Sequence, residues 1–199
     1  MIAIVDYGVG NLRSLENAFE HLQIDVKRIG SPEEIYRAEK LVLPGVGAFY
    51  FAMKNLRDLD LETALLERIR SGIPILGICL GMQIFFTGSE EGQATPGLNI
   101  ITGEVKRFSG HLKVPQIGWN EVVSHRDSCI LKNLPLSRHA YFVHSYFCDP
   151  ADPNFAIATA EYGQPFTAIV EKDNVFGVQF HPEKSQELGL QILKNFAEL

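Results

Sequence analysis

Short apolar runs alternate with helical patterns along the first half of the chain. Residues 2–5 and 41–43 are apolar runs that predict strands, and we place a further strand at residues 25–29. After Asn11, which is suited to cap a helix, apolar residues recur every three or four positions as far as Leu22. This alternation predicts an α/β fold with a parallel sheet that is covered by helices on both faces.

The second half of the chain has a different pattern, in which short β-rich runs follow one another. We predict strands at residues 104–108, 118–124, 140–148, 156–161, 167–171 and 175–180. Asp173 and Asn174 are typical of a hairpin turn between the last two, and residues 186–199 form an amphipathic helical pattern. We therefore expect one domain over residues 1–199, with antiparallel strands extending the parallel core.

Cys79 follows the apolar run at residues 73–76 and lies between two glycines, in the order Gly-Ile-Cys-Leu-Gly-Met-Gln. An apolar run of this kind predicts a buried parallel strand, and the glycines favour a sharp turn into a helix that begins at Leu80. This is the strand–turn–helix elbow that exposes a nucleophile, with sulfur in place of oxygen. The competing interpretation is an inert core cysteine.

A second motif, His181-Pro182-Glu183, follows the predicted strand at residues 175–180. Proline favours an extended conformation for the residue before it, so His181 and Glu183 are expected on one face. A carboxylate there can orient an imidazole whose other nitrogen faces a thiol. Taken alone, the motif also fits an ordinary surface turn. Together with the elbow, it predicts a catalytic triad of Cys79, His181 and Glu183.

Two glycine-rich turns follow predicted strands, at residues 6–10 and 44–47. The first lacks the third glycine of a dinucleotide-binding loop, and neither provides a Walker lysine. The second turn is suited to bind the oxyanion that cysteine acyl transfer produces, together with the N–H group that follows Cys79. A plain strand-to-helix turn is the alternative.

Composition restricts the possible classes of function. The chain has 199 residues, is 46% hydrophobic and carries a net charge of −6, which argues against nucleic-acid binding. The three cysteines suit a reducing compartment better than a disulfide framework. No signal peptide is apparent, and no apolar stretch approaches the roughly 20 residues of a membrane span. We expect a cytoplasmic protein.

Taken together, these motifs resemble the class I, triad-type glutamine amidotransferases, and among them the family of glutaminase subunits of imidazole glycerol phosphate synthases. The wider resemblance rests on the Gly-x-Cys-x-Gly-x-Gln pattern and the distant His-Pro-Glu. The narrower resemblance spans the whole chain and rests on four segments, residues 6–14, 44–49, 113–120 and 141–146.

The resemblance implies a three-layer, flavodoxin-like fold and hydrolysis of L-glutamine to glutamate and ammonia through a thioester on Cys79. A separate cyclase subunit, a (β/α)8 barrel, would use the ammonia to make imidazole glycerol phosphate and aminoimidazole carboxamide ribotide in histidine synthesis. We expect a heterodimer, and neither a cofactor nor a metal ion. Site residues carried over by motif are Gly45, Val46 and Leu80 at the oxyanion hole and Gln83, Ser145 and Tyr146 around glutamine.

Val46 occupies a position where related amidotransferases often have a further glycine. A β-branched residue resists the positive φ that turning its peptide toward the oxyanion requires. We therefore expect allosteric control, in which the free subunit holds the Gly45–Val46 peptide in a non-donating orientation. Partner and ligand binding would then supply about 1–3 kcal/mol to turn it.

Trp119 and Tyr141 are expected at the partner interface together with Asn11 and Arg13, because aromatic residues often anchor interfaces. A core position is the alternative for the single tryptophan. Three other functions remain open at this point. They are a glutaminase that serves pyridoxal phosphate or purine synthesis, a cysteine peptidase on the same fold, and a non-catalytic scaffold.

Overall fold

The computed structural model describes residues 1–92, 95–110 and 112–199. Its strands are β1 (Ile2–Val5), β2 (Val26–Ile29), β3 (Lys40–Gly45), β4 (Ile75–Cys79), β5 (Gly88–Ser89), β6 (Thr95–Pro96), β7 (Gly103–Arg107), β8 (Gln116–Glu121), β9 (Val123–Ser124), β10 (His139–His144), β11 (Tyr146–Pro150), β12 (Ala156–Glu161), β13 (Pro165–Lys172) and β14 (Val175–Val178). Its α-helices are α1 (Leu12–His21), α2 (Pro32–Arg37), α3 (Phe49–Asp58), α4 (Leu61–Arg70), α5 (Leu80–Gln83) and α6 (Gln186–Ala197).

The main sheet has the strand order β2-β1-β3-β4-β14-β13-β12-β9. Strands β2, β1, β3, β4 and β14 are mutually parallel. Strands β13, β12 and β9 continue the sheet in antiparallel fashion. The prediction of a parallel core extended by antiparallel strands is confirmed.

Helices cover both faces of the main sheet, because alternate residues of its central strands point to opposite sides. Ala3 and Val5 of β1 belong to one apolar cluster, which also contains the buried residues of α2, α3 and α4. Ile2 and Ile4 belong to the other cluster, which contains those of α1 and α6. The three-layer α/β arrangement is therefore confirmed.

The predicted strand at residues 140–148 is wrong in one respect, because the structure divides it at Ser145. The part before this residue, β10, pairs antiparallel with β8. The part after it, β11, pairs antiparallel with β7 in a separate small sheet with β5 and β6. The apolar pattern continues across Ser145 because both halves are partly buried, so it does not reveal the change of partner. The predicted strand at 118–124 is likewise divided, into β8 and β9.

Three parallel strands place the candidate residues at one edge of the main sheet. Gly45, the last residue of β3, is the register partner of Cys79, the last residue of β4. Val178 ends β14 beside Ile78, and His181 follows shortly after it. The carboxyl edge of a parallel sheet is where ligands bind in such folds.

Candidate active site

Cys79 forms the turn between β4 and α5. Its backbone lies at φ 54° and ψ −109°, a conformation that costs a residue with a Cβ about 1–3 kcal/mol. The side chain is 6% exposed. A strained residue at the end of a buried parallel strand is the geometry of a nucleophile elbow. Because α5 has only 4 residues, its peptide dipoles contribute little to the electrostatics at the sulfur.

Gly77 and Gly81 are required beside the elbow because a side chain there would clash with its neighbours, and not because the backbone adopts angles that favour glycine. Neither has a positive φ. A Cβ at Gly81 would lie 1.7 Å from the carbonyl oxygen of Leu43, and one at Gly77 would lie 2.5 Å from the ring of Phe85. The glycines therefore allow β3, β4 and α5 to approach closely, while the unusual angle belongs to Cys79 itself.

His181 and Glu183 form a buried hydrogen-bonded pair. The imidazole Nδ1 lies 2.9 Å from the Glu183 carboxylate, and the two side chains are 4% and 3% exposed. The backbone at His181 is extended, and its N–H donates to the carbonyl oxygen of Tyr141 at 3.0 Å. The pair is therefore held through both its backbone and its side chains.

The charge of His181 depends on its neighbours. Burial by itself lowers the pKa of the imidazole, but Cys79 and the Glu183 carboxylate together raise it to about 10. The ring Nε2 is buried and forms no hydrogen bond with any described residue. Since Nδ1 is engaged by Glu183, Nε2 is the nitrogen available to exchange a proton at the thiol.

A cavity of about 270 Å³ opens beside the thiol. Its lining comprises Val46, Gly47, Cys79, Leu80, Gln83, Glu91, Pro115, Val143, His144, Ser145, Tyr146 and His181. The structure thus brings most residues of the predicted site to a single cavity. Glu183 lies behind His181, and Gly45 borders a smaller void beside it.

Gly45 packs tightly at the predicted oxyanion hole. A Cβ on this residue would lie 2.8 Å from the Tyr7 hydroxyl and 2.9 Å from the Cβ of Leu80. The Tyr7 hydroxyl donates to the carbonyl of Pro44 at 2.8 Å, which fixes the start of the turn. The positive φ in this turn, 105°, belongs to Gly47 and not to Val46.

Gln83 contacts the segment that the sequence linked to glutamine binding. Its Nε2 donates to the carbonyl oxygen of Tyr146 at 2.9 Å. The same nitrogen lies 3.2 Å from Oε1 of Gln179, which is fully buried. Gln83 therefore ties α5 to β11 at the floor of the cavity.

Sequence reasoning missed two ionisable residues in the cavity lining, Glu91 and His144. The Glu91 carboxylate accepts the backbone N–H of Phe49 at 2.7 Å, at the start of α3. His144 Nδ1 lies 2.8 Å from the Tyr146 carbonyl. Burial, with a smaller contribution from His181, lowers the pKa of His144 to about 4. No local motif marks Glu91, because it reaches the cavity only through the small sheet of β5, β6 and β7.

The residues expected at the partner interface lie at the surface. Trp119 is 45% exposed, which rules out the core position. It is the register partner of Tyr141, and the two rings stand edge to face with centroids 5.8 Å apart. Asn11 and Arg13 are exposed at the start of α1. Asn11 also caps this helix, as predicted, by accepting the N–H of Ser14.

Two features are absent from the described ranges, 1–92, 95–110 and 112–199. These ranges contain no helix long and apolar enough to cross a membrane. They also contain no cluster of at least three histidine, cysteine, aspartate or glutamate residues suited to hold a metal ion. Of the other two cysteines, Cys148 is buried and Cys129 is half-buried, and both are free thiols.

Residues 3–199 match the family described as glutamine amidotransferase class-I. Several relatives carry the name imidazole glycerol phosphate synthase subunit HisH. The protein of Chlorobaculum tepidum is 48% identical over 200 residues, covering 100% of both chains. That of Moorella thermoacetica is 46% identical over 198 residues, covering 100% of this chain and 94% of its own. That of Methanosarcina mazei is 48% identical over 201 residues, covering 100% and 98%.

Solved structures show the same fold at much lower sequence identity. A structure described as a glutamine amidotransferase superposes with a TM-score of 0.78 at 19% identity, covering 100% of both chains. The PurLQS structure from Thermotoga maritima has a TM-score of 0.76 at 17% identity, covering 99% of this chain and 97% of its own. The chain belongs to the class-I glutamine amidotransferase family. Within that class, its full-length relatives place it among the HisH subunits of imidazole glycerol phosphate synthase.

Proposed function

We propose that this chain is a glutaminase subunit that hydrolyses L-glutamine to glutamate and ammonia and passes the ammonia to a cyclase subunit. The observation that carries this proposal is the shared cavity wall of Cys79 and His181, with Glu183 bonded to the imidazole at 2.9 Å. The names of the full-length relatives supply the complex in which the ammonia would be used.

In the first half of the reaction, the Cys79 thiolate attacks the side-chain amide carbon of glutamine. The carbonyl π electrons move to oxygen, and N–H groups of the Gly45–Val46 turn and of Leu80 stabilise this oxyanion. The imidazolium of His181 then donates its Nε2 proton to the departing nitrogen. The C–N bond breaks, ammonia leaves, and a γ-glutamyl thioester remains on the sulfur.

The second half of the reaction consumes one water molecule. Neutral His181 takes a proton from the water through Nε2, and the resulting hydroxide attacks the thioester carbonyl. Collapse of the second oxyanion breaks the C–S bond and releases glutamate, and the sulfur leaves as thiolate beside the imidazolium. The Glu183 carboxylate stabilises the imidazolium in both halves and keeps Nδ1 protonated.

The cavity provides groups of the right chemistry for both ends of an amino acid. Glu91 is the carboxylate among the lining residues, and we assign it to the substrate α-ammonium group. Backbone groups at Ser145 and Tyr146 are suited to the α-carboxylate end. Gln83 keeps its side-chain carbonyl oxygen for the substrate, since its amide nitrogen is engaged by Tyr146 and Gln179.

We assign the partner surface to the side of the cavity mouth that carries Trp119 and Tyr141. Exposed apolar side chains accompany them, since Val46 is 42% exposed and Ile117 is 62% exposed. A rim of this kind suits a (β/α)8-barrel cyclase, whose active loops also lie at one face. In this assignment the cyclase closes the mouth and receives the ammonia, which it uses to form imidazole glycerol phosphate and aminoimidazole carboxamide ribotide.

The position of Val46 gives the cyclase a means of control. This residue lines the cavity and is also exposed at its mouth, so a partner can contact it directly. We retain the hypothesis that the free subunit holds the Gly45–Val46 peptide in a non-donating orientation until the cyclase and its ligand turn it. Loss of one oxyanion donor lowers a rate by about 10²- to 10³-fold.

Glutamate release from glutamine tests this function. The purified chain is assayed alone, and then with a cyclase subunit and the nucleotide substrate of that subunit, with Cys79→Ala as the control. We expect release to rise at least about 100-fold when both are added, and to vanish in the control. High activity of the chain alone would remove the gating hypothesis, and no release under any condition would remove the glutaminase function.

A further inference from the structure

Two side-chain amides connect the Cys79 sulfur to the carbonyl oxygen of Tyr146, which also lines the cavity. Nε2 of Gln179 lies 3.7 Å from Sγ of Cys79. Oε1 of the same amide lies 3.2 Å from Nε2 of Gln83, and that nitrogen also lies 2.9 Å from the Tyr146 carbonyl oxygen. Cys79, Gln83 and Gln179 are 6%, 5% and 0% exposed, so water cannot substitute freely for any of these contacts.

The Tyr146 carbonyl sets the orientation of both amides. A backbone carbonyl can only accept hydrogen bonds, so the Gln83 atom that faces it is the NH₂ group. That NH₂ group also faces the Gln179 amide, which therefore presents its oxygen to Gln83 and its own NH₂ group to the sulfur. His144 Nδ1 also donates to the Tyr146 carbonyl, at 2.8 Å.

The consequence is that Gln179 offers the sulfur a donor and no acceptor. An N–H group that faces sulfur stabilises the thiolate and cannot itself accept a thiol proton. The backbone of Gln179 is held as well, since its N–H donates to the Ala168 carbonyl of β13 at 2.8 Å. Reversal of the Gln179 amide would place its NH₂ group against the NH₂ group of Gln83, two donors with no acceptor between them, which the buried site cannot compensate.

We propose that Gln179 is a further catalytic residue, which contacts the Cys79 sulfur and holds it as the thiolate before glutamine binds. The inference deepens the proposed function and rests on the thiol chemistry assigned there. Gln179 and His181 are two residues apart and approach the same sulfur, so one short segment after β14 supplies both the donor that holds the thiolate and the acid–base group.

Other titratable groups also act on Cys79 and must be kept constant in a test. His181 interacts with it as described, and Tyr7 and Cys148 lie close enough for the charge on Cys79 to act on them. Burial, followed by the charge on Cys79, raises the pKa of the Tyr7 hydroxyl and of the Cys148 thiol, so both stay neutral near pH 7. Substitution of Gln179 leaves all three in place.

The test is the pH dependence of alkylation of Cys79 by iodoacetamide, measured by peptide mass spectrometry so that Cys129 does not contribute. Gln179→Met removes the donor with little change in shape, and Gln179→Glu places a carboxylate against the sulfur. We expect the midpoint to move upward by about one pH unit in Gln179→Met and by more in Gln179→Glu, since a hydrogen bond to the charged form favours that form.

Asn195→Asp is the matched control. Asn195 is 6% exposed, and its amide donates to the carbonyls of Ile130 and Lys132, between α6 and the loop after β9. The substitution is the same amide-to-acid change in a buried site that does not contact Cys79. We expect it to lower the melting temperature without moving the alkylation midpoint.

Two results would overturn the inference. One is an unchanged midpoint in a folded Gln179→Met protein, which would leave Gln179 with a packing role only. The other is an equal shift in Asn195→Asp, which would make the effect one of general loosening. A second measurement, kcat in the complex with the cyclase, should show about a tenfold loss near pH 7 in Gln179→Met that recovers as the pH rises. Alkylation requires no glutamine, so it tests this inference even if the proposed function fails.

Discussion

Gly45 and Cys79 are register partners at the ends of neighbouring parallel strands. The pairing places the glycine turn after β3 directly beside the sulfur and beside the first N–H of α5. The two proposed oxyanion donors are therefore positioned by the pairing of β3 with β4 and not by the loops alone. A change at Gly45 should affect the reaction without touching the triad.

Gly45→Ala tests that relationship. The added Cβ would lie 2.8 Å from the Tyr7 hydroxyl and 3.0 Å from the N atom of Gly81, so the strand must shift. We expect a loss of about 1–3 kcal/mol in the free energy of unfolding and a fall in kcat of about 10²-fold, because the turn no longer presents its donor. Urea denaturation and glutaminase assays of the complex measure the two effects.

Gly88→Ala serves as its control. There the nearest atom to an added Cβ is a carboxylate oxygen of Glu104 at 3.3 Å, at the end of a flexible side chain. This variant should keep wild-type kcat. If Gly45→Ala also kept it, the glycine turn would not be the oxyanion site.

Glu183→Gln should disable the acid–base function while preserving the shape of the site. Loss of the carboxylate lowers the pKa of His181 from about 10, and we expect kcat to fall by about 10²- to 10⁴-fold. The raised pKa contributes stability that is fully present below pH 6.5 and is lost as the pH rises toward 10. The stability difference between wild type and Glu183→Gln should therefore shrink across that range.

Urea denaturation at several pH values measures this difference, with the exposed Glu187→Gln on α6 as the control. A stability difference that grew with pH would contradict the assignment of the charged imidazolium to His181. So would a kcat that stayed at the wild-type value.

His144→Asn tests how the free energy of unfolding depends on pH in the acidic range. Burial, and to a smaller extent the charge on His181, lowers the pKa of His144 from 6.5 to about 4. In this range the unfolded chain binds a proton that the folded chain does not, so stability falls as the pH drops from 6.5 to 4. The contribution reaches up to about 3 kcal/mol. Asparagine keeps a donor for the Tyr146 carbonyl but does not titrate, so this part of the acid destabilisation should disappear. Denaturation at several pH values measures this. If His144→Asn lost as much stability between pH 6.5 and 4 as wild type does, His144 would not be the group responsible.

Trp119→Ala tests the partner surface. Because the indole is 45% exposed, its removal should change the free energy of unfolding little. Affinity for the cyclase subunit should fall by about 30-fold, or about 2 kcal/mol, if the ring is an interface anchor. Isothermal titration calorimetry measures this affinity.

Leu136→Ala is the control, because Leu136 is fully exposed and precedes the end of β10 that is remote from the cavity. Equal affinities of wild type and Trp119→Ala for the cyclase would show that Trp119 does not lie in the interface.

The sequence predicted the central layers because buried parallel strands and amphipathic helices leave strong periodic signals. It missed α3 although Phe49, Ala52, Met53 and Leu56 have helical spacing and are all buried. The N-cap residue of α3, Ala48, provides no side-chain hydrogen bond, and the aromatic residues at the start of the helix do not suggest a helix. The helical spacing of apolar residues was therefore present in the sequence, but without a capping residue the start of the helix was not recognised.

The sequence predicted the site residues that belong to short motifs, and it did not predict those that only the tertiary structure brings to the cavity. Cys79, His181 and Glu183 stand in recognisable segments. Glu91 reaches the cavity through the pairing of β5 with β7, which no local pattern specifies. The contact of Gln179 with the sulfur depends on the orientation of the Gln83 amide, and this is set by the Tyr146 carbonyl.

The central claim is that Cys79 is the nucleophile of a glutamine site, and covalent labelling with a diazoketone analogue of glutamine tests it most directly. Peptide mass spectrometry locates the adduct in the complex with the cyclase, with and without excess glutamine. We expect a single adduct on Cys79, prevented by glutamine and absent in Cys79→Ala. Labelling of Cys129 instead, or labelling of Cys79 that glutamine does not prevent, would contradict the account.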